Sequence, residues 1–252
     1  MRRGDWHMKS IAFIIQSYRE ALKIISIGNL KKFYFLPGII GLFILMLLYN
    51  GSNYLSFSIY DYLGKMLDIQ NYGSIALILI KLLIITIGFL IYFLIYKSLI
   101  LIILSPFLSY ISEKTERIYR ETDFNFSLDD NIRFILRGIL VSSRAFIFEI
   151  IGTILIVLLG FIPVVNIFSP IFLFLLQSYF SGIALMDYTL ERRKFSHRES
   201  ANFVRKYWVF STLNGIIFTF IFLIPIIGIF IAPLLCTVAI TIGTIKVFEN
   251  EK

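Results

Sequence analysis

Two long apolar blocks dominate the second half of the chain, residues 138–186 and 208–248, and each is divided near its middle by a proline turn. The turns around Pro163 and Pro225 share one order of residues, an Ile-Pro step followed by aliphatic residues and a phenylalanine. Such self-similarity indicates an internal repeat. The pattern predicts two proline-bent helical hairpins.

The two turns are themselves apolar, with Asn166 in the first and Gly228 in the second as their least hydrophobic residues. A loop between complete spans normally reaches water and carries polar residues. Non-helical backbone at membrane depth requires neighbouring protein or cavity water to satisfy it. The pattern favours hairpins that penetrate the bilayer part-way, and four complete spans with tight apolar turns are the alternative.

The composition requires a bilayer as the solvent for this apolar surface. Hydrophobic residues make up 58% of the chain and charged residues only 16%, whereas soluble domains are about half apolar and about a quarter charged. We therefore predict an all-α membrane protein, with residues 1–252 forming one integral membrane domain.

An amphipathic helix is predicted over residues 6–31, before the first span. Its apolar side chains recur at helical spacing: Ile11, Ile14, Ile15, Tyr18, Leu22 and Ile25. Such a helix can lie in the headgroup region with its apolar face towards the lipid. Packing of that face on the protein itself is the alternative.

Two transmembrane helices are predicted over residues 33–49 and 74–104. The first contains no charge, and a mixed polar loop is expected over 50–73. Lys81 and Lys97 lie near the ends of the second span, where we expect long basic side chains to reach the interface by snorkelling.

The basic residues indicate the orientation of the chain and its partners. The net charge is +8, and lysine and arginine are concentrated between the apolar runs, in the N-terminal segment and in residues 187–206. This distribution favours a membrane surface over nucleic acid. The excess of basic residues in these segments predicts a multi-pass membrane protein with both termini in the cytoplasm.

No catalytic constellation or metal-ligand spacing is visible, so we expect neither an enzyme nor a cofactor. The only histidines are His7 and His197, and the single cysteine, Cys236, is expected to act as a small buried apolar residue. The carboxylates in polar segments are expected to be solvated partners of nearby basic residues. They are Glu113, Glu116, Asp129, Asp130, Asp187 and Glu191.

Arg144 and Glu149 differ from these residues because they lie inside an apolar run. An ionisable side chain in a membrane segment is costly and therefore suggests function. We predict both as candidates for an ion pathway. An interfacial position for Arg144 is the alternative, and a spacing of five does not place the two side chains on one helical face.

A candidate anion site precedes the first span and comprises Gly28, Asn29, Leu30, Lys31 and Lys32. Backbone N–H groups at a helix N-terminus, with basic side chains beside them, attract anions. An ordinary basic flank of a membrane helix is the alternative.

Four short motifs occur in order along the chain. They are Leu30-Lys31-Lys32-Phe33 with Leu36-Pro37, Ser105-Pro106-Phe107 leading to Glu113-Lys114, Leu185-Met186-Asp187-Tyr188, and Leu223-Ile224-Pro225. From about residue 11 to residue 248, this order resembles the CysZ-type sulfate permeases, within the larger group that includes the etoposide-induced membrane proteins.

The resemblance implies two long membrane helices, two part-penetrating hairpins, homo-oligomeric assembly and sulfate passage into the cytoplasm for cysteine synthesis. Family members carry a Gly-Leu-Arg stretch associated with sulfate, and the matching residues are Asn29, Leu30 and Lys31. Lysine attracts an anion as a point charge rather than through the bidentate fork of arginine.

The resemblance thus implies an inner-membrane transporter or channel for sulfate or a similar small anion. Membrane lipid is the other expected partner. The competing hypothesis is a non-transporting membrane protein that shapes lipid or serves in assembly, because part-penetrating hairpins would also perturb one leaflet.

Overall fold

A computed structural model describes residues 3–66, 78, 82, 96–121, 128–193, 195–224 and 226–249. This part of the chain is helical and contains no strand, which confirms the predicted all-α membrane fold. The helices are α1 Arg3–Ile27, a 3-10 turn Lys31–Tyr34, α2 Phe35–Met66, α3 Tyr96–Ile103, α4 Ser105–Arg120, α5 Leu128–Leu159, α6 Pro163–Arg192, α7 His197–Lys206, α8 Trp208–Phe222 and α9 Ile227–Glu249.

Four helical segments of the described chain are long and apolar enough to cross a membrane. They are Lys31–Gly51, Leu136–Leu159, Pro163–Arg192 and Ile227–Glu249. The pair α3 and α4 would add a fifth, although it bends by 63° where the two helices meet. Pro106 lies at the start of α4, where a helix accepts proline, so the bend falls where the sequence permits a boundary.

The core of the molecule surrounds α9. Its apolar window is 78% buried, whereas that of α5 is only 11% buried. Helices α1, α2, α4, α6 and α8 all contact α9. The chain therefore uses α9 as its internal helix, and α5 presents apolar side chains outwards, as a lipid-facing helix does.

The two hairpins meet where α6 crosses α8, and small residues allow this close approach. A Cβ atom added to Gly215 would lie 1.8 Å from the Ser178 carbonyl oxygen, and one added to Gly182 would lie 2.0 Å from that of Ser211. Each helix thus contributes a serine and a glycine four residues apart. Such small-residue pairs are how membrane helices bring their backbones together.

Helix α1 combines the two arrangements considered for it. Ala21, Ile24 and Ile25 are buried in a cluster shared with α9, so one face packs on the protein. Ile11 and Leu22 are more than half exposed, so another apolar face remains available to lipid.

Helix α2 is longer than predicted. The loop expected from residue 50 is helical as far as Met66, so that prediction was wrong for this part. No proline interrupts the segment, and Lys65 pairs with Asp61 at 2.7 Å, one turn earlier. Residues 67–73, and most of the span predicted over 74–104, lie outside the described residues.

The helix breaks fall at the two repeated turns. Helix α5 ends at Leu159 and α6 begins at Pro163, after an extended Ile162. In the second copy α8 ends at Phe222 and α9 begins at Ile227. Ile226 adopts a left-handed conformation (φ 62°), and Pro225 lies outside the described residues. The depth to which the hairpins penetrate remains a prediction.

Candidate functional site

The predicted anion site is a tight connection between α1 and the first span. Asn29 adopts a left-handed conformation (φ 52°), which asparagine tolerates better than most residues. Leu30 is fully buried, so its side chain holds the turn against the protein core. A Cβ atom on Gly28 would lie 2.5 Å from Ile118 Cδ1, so glycine permits the turn to pack against α4.

Part of the backbone in this turn is already hydrogen-bonded. The N–H groups of Gly28 and Leu30 donate to the carbonyls of Ile24 and Ile25, at 2.8 and 3.0 Å. Among the backbone hydrogen bonds described for this turn, none is donated by the N–H groups of Asn29, Lys31 or Lys32. These N–H groups are therefore free to donate to an anion.

Three lysines surround the turn, and one of them comes from a distant part of the sequence. Lys31 and Lys32 are exposed. Lys32 Nζ lies 5.4 Å from the centroid of the Phe33 ring, and Lys114 Nζ of α4 lies 5.3 Å from the same centroid. The positive charge at this site is therefore larger than the sequence motif alone indicates.

Lys114 was missed as a site residue because its place depends on how α4 packs. Phe33 lies 5.8 Å from Phe107 and 6.0 Å from Tyr110, between ring centroids. Phe107, Tyr110 and Lys114 follow the i, i+3, i+7 spacing of one helical face. That spacing was visible in the sequence, but the sequence did not show that Phe33 packs against this face of α4.

The two predicted pathway residues occupy different environments. Arg144 is exposed and lines a cavity between α5, α6 and α7. Glu149 is buried on the opposite side of α5, with 4% of its surface exposed. The structure therefore does not bring the two side chains together, in agreement with their spacing of five.

Glu149 belongs to a buried ionic cluster that links three helices. Its carboxylate accepts a hydrogen bond from Ser98 Oγ at 2.6 Å and lies 3.6 Å from Lys97 Nζ. Lys97 Nζ donates in turn to the Gln177 carbonyl oxygen at 2.9 Å. The prediction that Lys97 snorkels to the interface was wrong, because its counter-charge lies inside the protein. Lys81 lies outside the described residues.

A second buried ionic cluster centres on Glu116. Arg192 Nε donates to Glu116 at 3.1 Å, and Arg192 also donates to Ser112 at 2.8 Å. Ser112 in turn lies 2.7 Å from Thr241 of α9. Arg120 and Arg193 approach the same Glu116 carboxylate, at 3.3 and 3.4 Å. This network fixes α4, α6 and α9 to one another at their basic ends.

The expectation of solvated carboxylates was therefore wrong for three residues. Glu116, Asp187 and Glu191 are 7%, 2% and 1% exposed. Asp187 accepts from Arg137 at 3.3 Å, and no hydrogen-bond partner is described for either oxygen of Glu191. Burial of these acids was not visible in the sequence, because it depends on partners from other helices, such as Arg192 for Glu116 and Arg137 for Asp187.

These observations define a multi-pass α-helical membrane protein with ionic clusters between its helices and a basic turn at the start of its first span. The family model for sulfate transporter CysZ/etoposide-induced protein 2.4 matches residues 17–233. The chain belongs to this family, as the sequence resemblance predicted.

Relatives named as sulfate transporters match most of the chain at modest identity. The sulfate transporter CysZ of Pseudomonas fluorescens (strain Pf0-1) is 29% identical over 225 residues, which are 86% of this chain and 87% of the relative. The sulfate transporter CysZ of Pseudomonas syringae pv. tomato (strain ATCC BAA-871 / DC3000) is 25% identical over 223 residues, 86% of each chain.

Proposed function

We propose that this protein carries sulfate, or a similar small anion, across the inner membrane, and that the basic turn is its loading site. The observation that carries the proposal is the pair of Lys32 and Lys114 at the Phe33 ring, with the exposed Lys31 next in the chain and unoccupied backbone N–H groups beside them at the start of the first span. Transport by the named relatives supports the choice of anion.

The chemistry of the turn suits a loading site of moderate affinity. Exposed ammonium groups raise the local anion concentration, and backbone N–H groups replace part of the hydration shell of the anion. Lysine does not supply the planar set of N–H donors of the arginine guanidinium, so each contact with the anion is weaker and less selective for the shape of the anion. Conduction needs binding that is weak enough to release the ion.

The remaining parts of the proposal follow from the sequence. Glu149, acting as a pair with Lys97, is a secondary pathway residue, whereas Arg144 lies apart from this pair in a separate cavity. Both termini lie in the cytoplasm, where the imported sulfate would supply cysteine synthesis. The chain works as a homo-oligomer, and the exposed apolar surface of α5 is available to lipid or to another copy.

The test is a flux assay in liposomes that contain the purified protein. Radiolabelled sulfate uptake is compared for the unmodified chain, for Lys31→Ala with Lys32→Ala, and for Lys114→Ala. Arg19→Ala with Lys23→Ala is the matched control, because it also removes two exposed positive charges close in sequence. Phosphate and chloride are measured in parallel.

We expect the Lys31/Lys32 double variant to lose about tenfold or more in uptake at low sulfate, since each charge-assisted contact contributes about 1.5–3 kcal/mol. Lys114→Ala should lose less, and the control variant should retain its uptake. Unchanged uptake in the double variant would remove the site assignment. Absence of any anion flux from the unmodified protein would remove the transport function.

A protein that shapes lipid without transport is the second candidate, and the length of α8 favours it. With 15 residues, α8 rises about 22 Å at 1.5 Å per residue, less than a hydrocarbon core of about 30 Å. A helix of this length, if upright, would end before the far side of the hydrocarbon core. Vesicle remodelling by the protein, together with absence of flux for all three anions, would favour this candidate.

A further inference from the structure

A cavity of about 270 Å³ lies between α5, α6 and α7, away from the basic turn. Most of its wall is apolar and comes from Val141, Ala145, Phe148, Phe180, Ile183, Ala201 and Val204. Three polar residues share the cavity, namely Arg144, Asp187 and Ser200. Phe148 and Ala201 are exposed at its rim, so the cavity opens onto the surface.

Helix α7 forms one side of this cavity. Helix α7 carries Arg198, Arg205 and Lys206 on its exposed side, as a helix at a membrane surface does. Because Ser200 and Ala201 of the same helix line the cavity, Arg144 lies beside this basic helix. The apolar side of α5 continues from here along the lipid-facing surface.

The charges of the cavity are arranged with a cation at its rim and an acid in its wall. Arg144 is exposed and forms no hydrogen bond or ion pair with any other described side chain. Asp187 is 2% exposed; its Oδ1 accepts from Arg137, whereas its Oδ2 has no hydrogen-bond partner among the described residues.

The Asp187 carboxylate in the cavity wall has an incomplete set of hydrogen-bond partners among the described residues. Arg137 is the cation beside Asp187, but it also donates to Ser200 and to the Phe195 carbonyl. A buried carboxylate without a full set of partners is costly. The cavity wall therefore favours an added cation with N–H donors.

We propose that this cavity binds the headgroup of an ethanolamine phospholipid. The lipid phosphate lies at the rim against the Arg144 guanidinium, and the primary ammonium enters the cavity and donates to the Asp187 carboxylate. The acyl chains follow the exposed apolar side of α5, beginning at Phe148. One headgroup thus supplies a partner for the Arg144 guanidinium and for the second oxygen of Asp187.

The arrangement distinguishes this lipid from its common alternatives. A phosphatidylglycerol headgroup has the phosphate but no cation for Asp187. A phosphatidylcholine headgroup has a cation without N–H donors, and its three methyl groups enlarge it. Hydrogen bonds to a charged group are the stronger class, so the primary ammonium should be preferred.

The test measures lipid retention by the purified, delipidated protein. Ethanolamine, choline and glycerol phospholipids with matched acyl chains are added back in detergent, and bound lipid is counted by native mass spectrometry. We expect the ethanolamine lipid to be retained about tenfold better than either alternative, the difference expected for one charge-assisted hydrogen bond.

Four variants connect this preference to the cavity. Arg144→Ala should lower retention of the ethanolamine lipid about tenfold, and Asp187→Asn should abolish its advantage over the glycerol lipid. Ala201→Trp fills the exposed rim without touching the buried pairs, so it tests the site even if Asp187→Asn fails to fold. Arg198→Ala removes a positive charge of α7 outside the cavity and should leave retention unchanged.

Three results would overturn the assignment. The first is equal retention of the glycerol lipid by the unmodified protein. The second is unchanged retention of the ethanolamine lipid in both Arg144→Ala and Ala201→Trp. If retention is unchanged but Ala201→Trp dissociates an oligomer, the cavity would be assigned to a second copy of the chain. The third is equally strong binding of soluble glycerophosphoethanolamine, which would assign the site to a free phosphate compound.

Discussion

Replacing Glu149 by glutamine tests whether the buried ionic cluster between α3, α5 and α6 holds the fold together. The substitution keeps the size of the side chain and removes its charge. Lys97 is 2% exposed, and its carboxylate partner lies 3.6 Å away. After the change, the ammonium group would retain the Gln177 carbonyl at 2.9 Å as a neutral partner but would lose its counter-charge.

The expected loss of stability follows from this burial. Removing one member of a buried ion pair typically costs about 3–5 kcal/mol, because the other charge stays buried without compensation. At about 2–4 °C per kcal/mol for a chain of this size, the melting temperature should fall by about 6–20 °C. Replacing both partners, with Lys97→Met and Glu149→Leu, should recover most of this loss.

The chain provides its own probe for the measurement. Cys236 is the only cysteine, and it is completely buried in the core around α9. A dye that fluoresces on reaction with a thiol therefore reports unfolding of the detergent-solubilised protein as the temperature is raised. No labelling site has to be introduced, so all variants are compared in the same background.

A part-exposed pair supplies the control. Glu113 and Arg117 lie 2.6 Å apart, one turn from each other on α4, with side chains 17% and 37% exposed. Glu113→Gln makes the same chemical change and should cost only about 0.3–0.5 kcal/mol. If Glu149→Gln lowered the melting temperature no more than Glu113→Gln does, the buried pair would not stabilise the fold and the reasoning would be refuted.

Two further predictions concern helix packing and pH. Gly215→Ala would place a Cβ atom 1.8 Å from the Ser178 carbonyl oxygen, so α6 and α8 must separate. We expect the free energy of unfolding to fall by about 1–3 kcal/mol, measured in the same thiol assay. A melting temperature equal to that of the unmodified chain would contradict the close crossing. The hydrogen bonds of Glu199 with the backbone N–H and side chain of Ser196 lower the pKa of Glu199. A lowered pKa stabilises the folded chain at pH values above the ordinary pKa of glutamate, and this stabilisation is lost as the pH falls. The unmodified chain should therefore melt at a higher temperature than Glu199→Gln at pH 7, and this difference should shrink towards pH 4. A difference that grew on acidification would refute this assignment.

The candidate site was only partly visible in the sequence. Lys31 and Lys32 were identified because they precede an apolar run, and this position can be read directly from the sequence. Lys114 was not identified, since it reaches Phe33 only when α4 packs beside the turn. A left-handed Asn29 and a close contact at Gly28 are likewise consequences of that packing.

The sequence alone determined that the chain is an all-α membrane protein and where its helices break at the repeated proline turns. Hydrophobicity and backbone hydrogen bonding act over about 20 consecutive residues, so these properties are local. Only the tertiary structure decided which charges are buried and paired. Glu116 and Arg192, like Lys97 and Glu149, are distant in sequence and meet only when their helices pack together, because the energy of a charge depends on its surroundings in space.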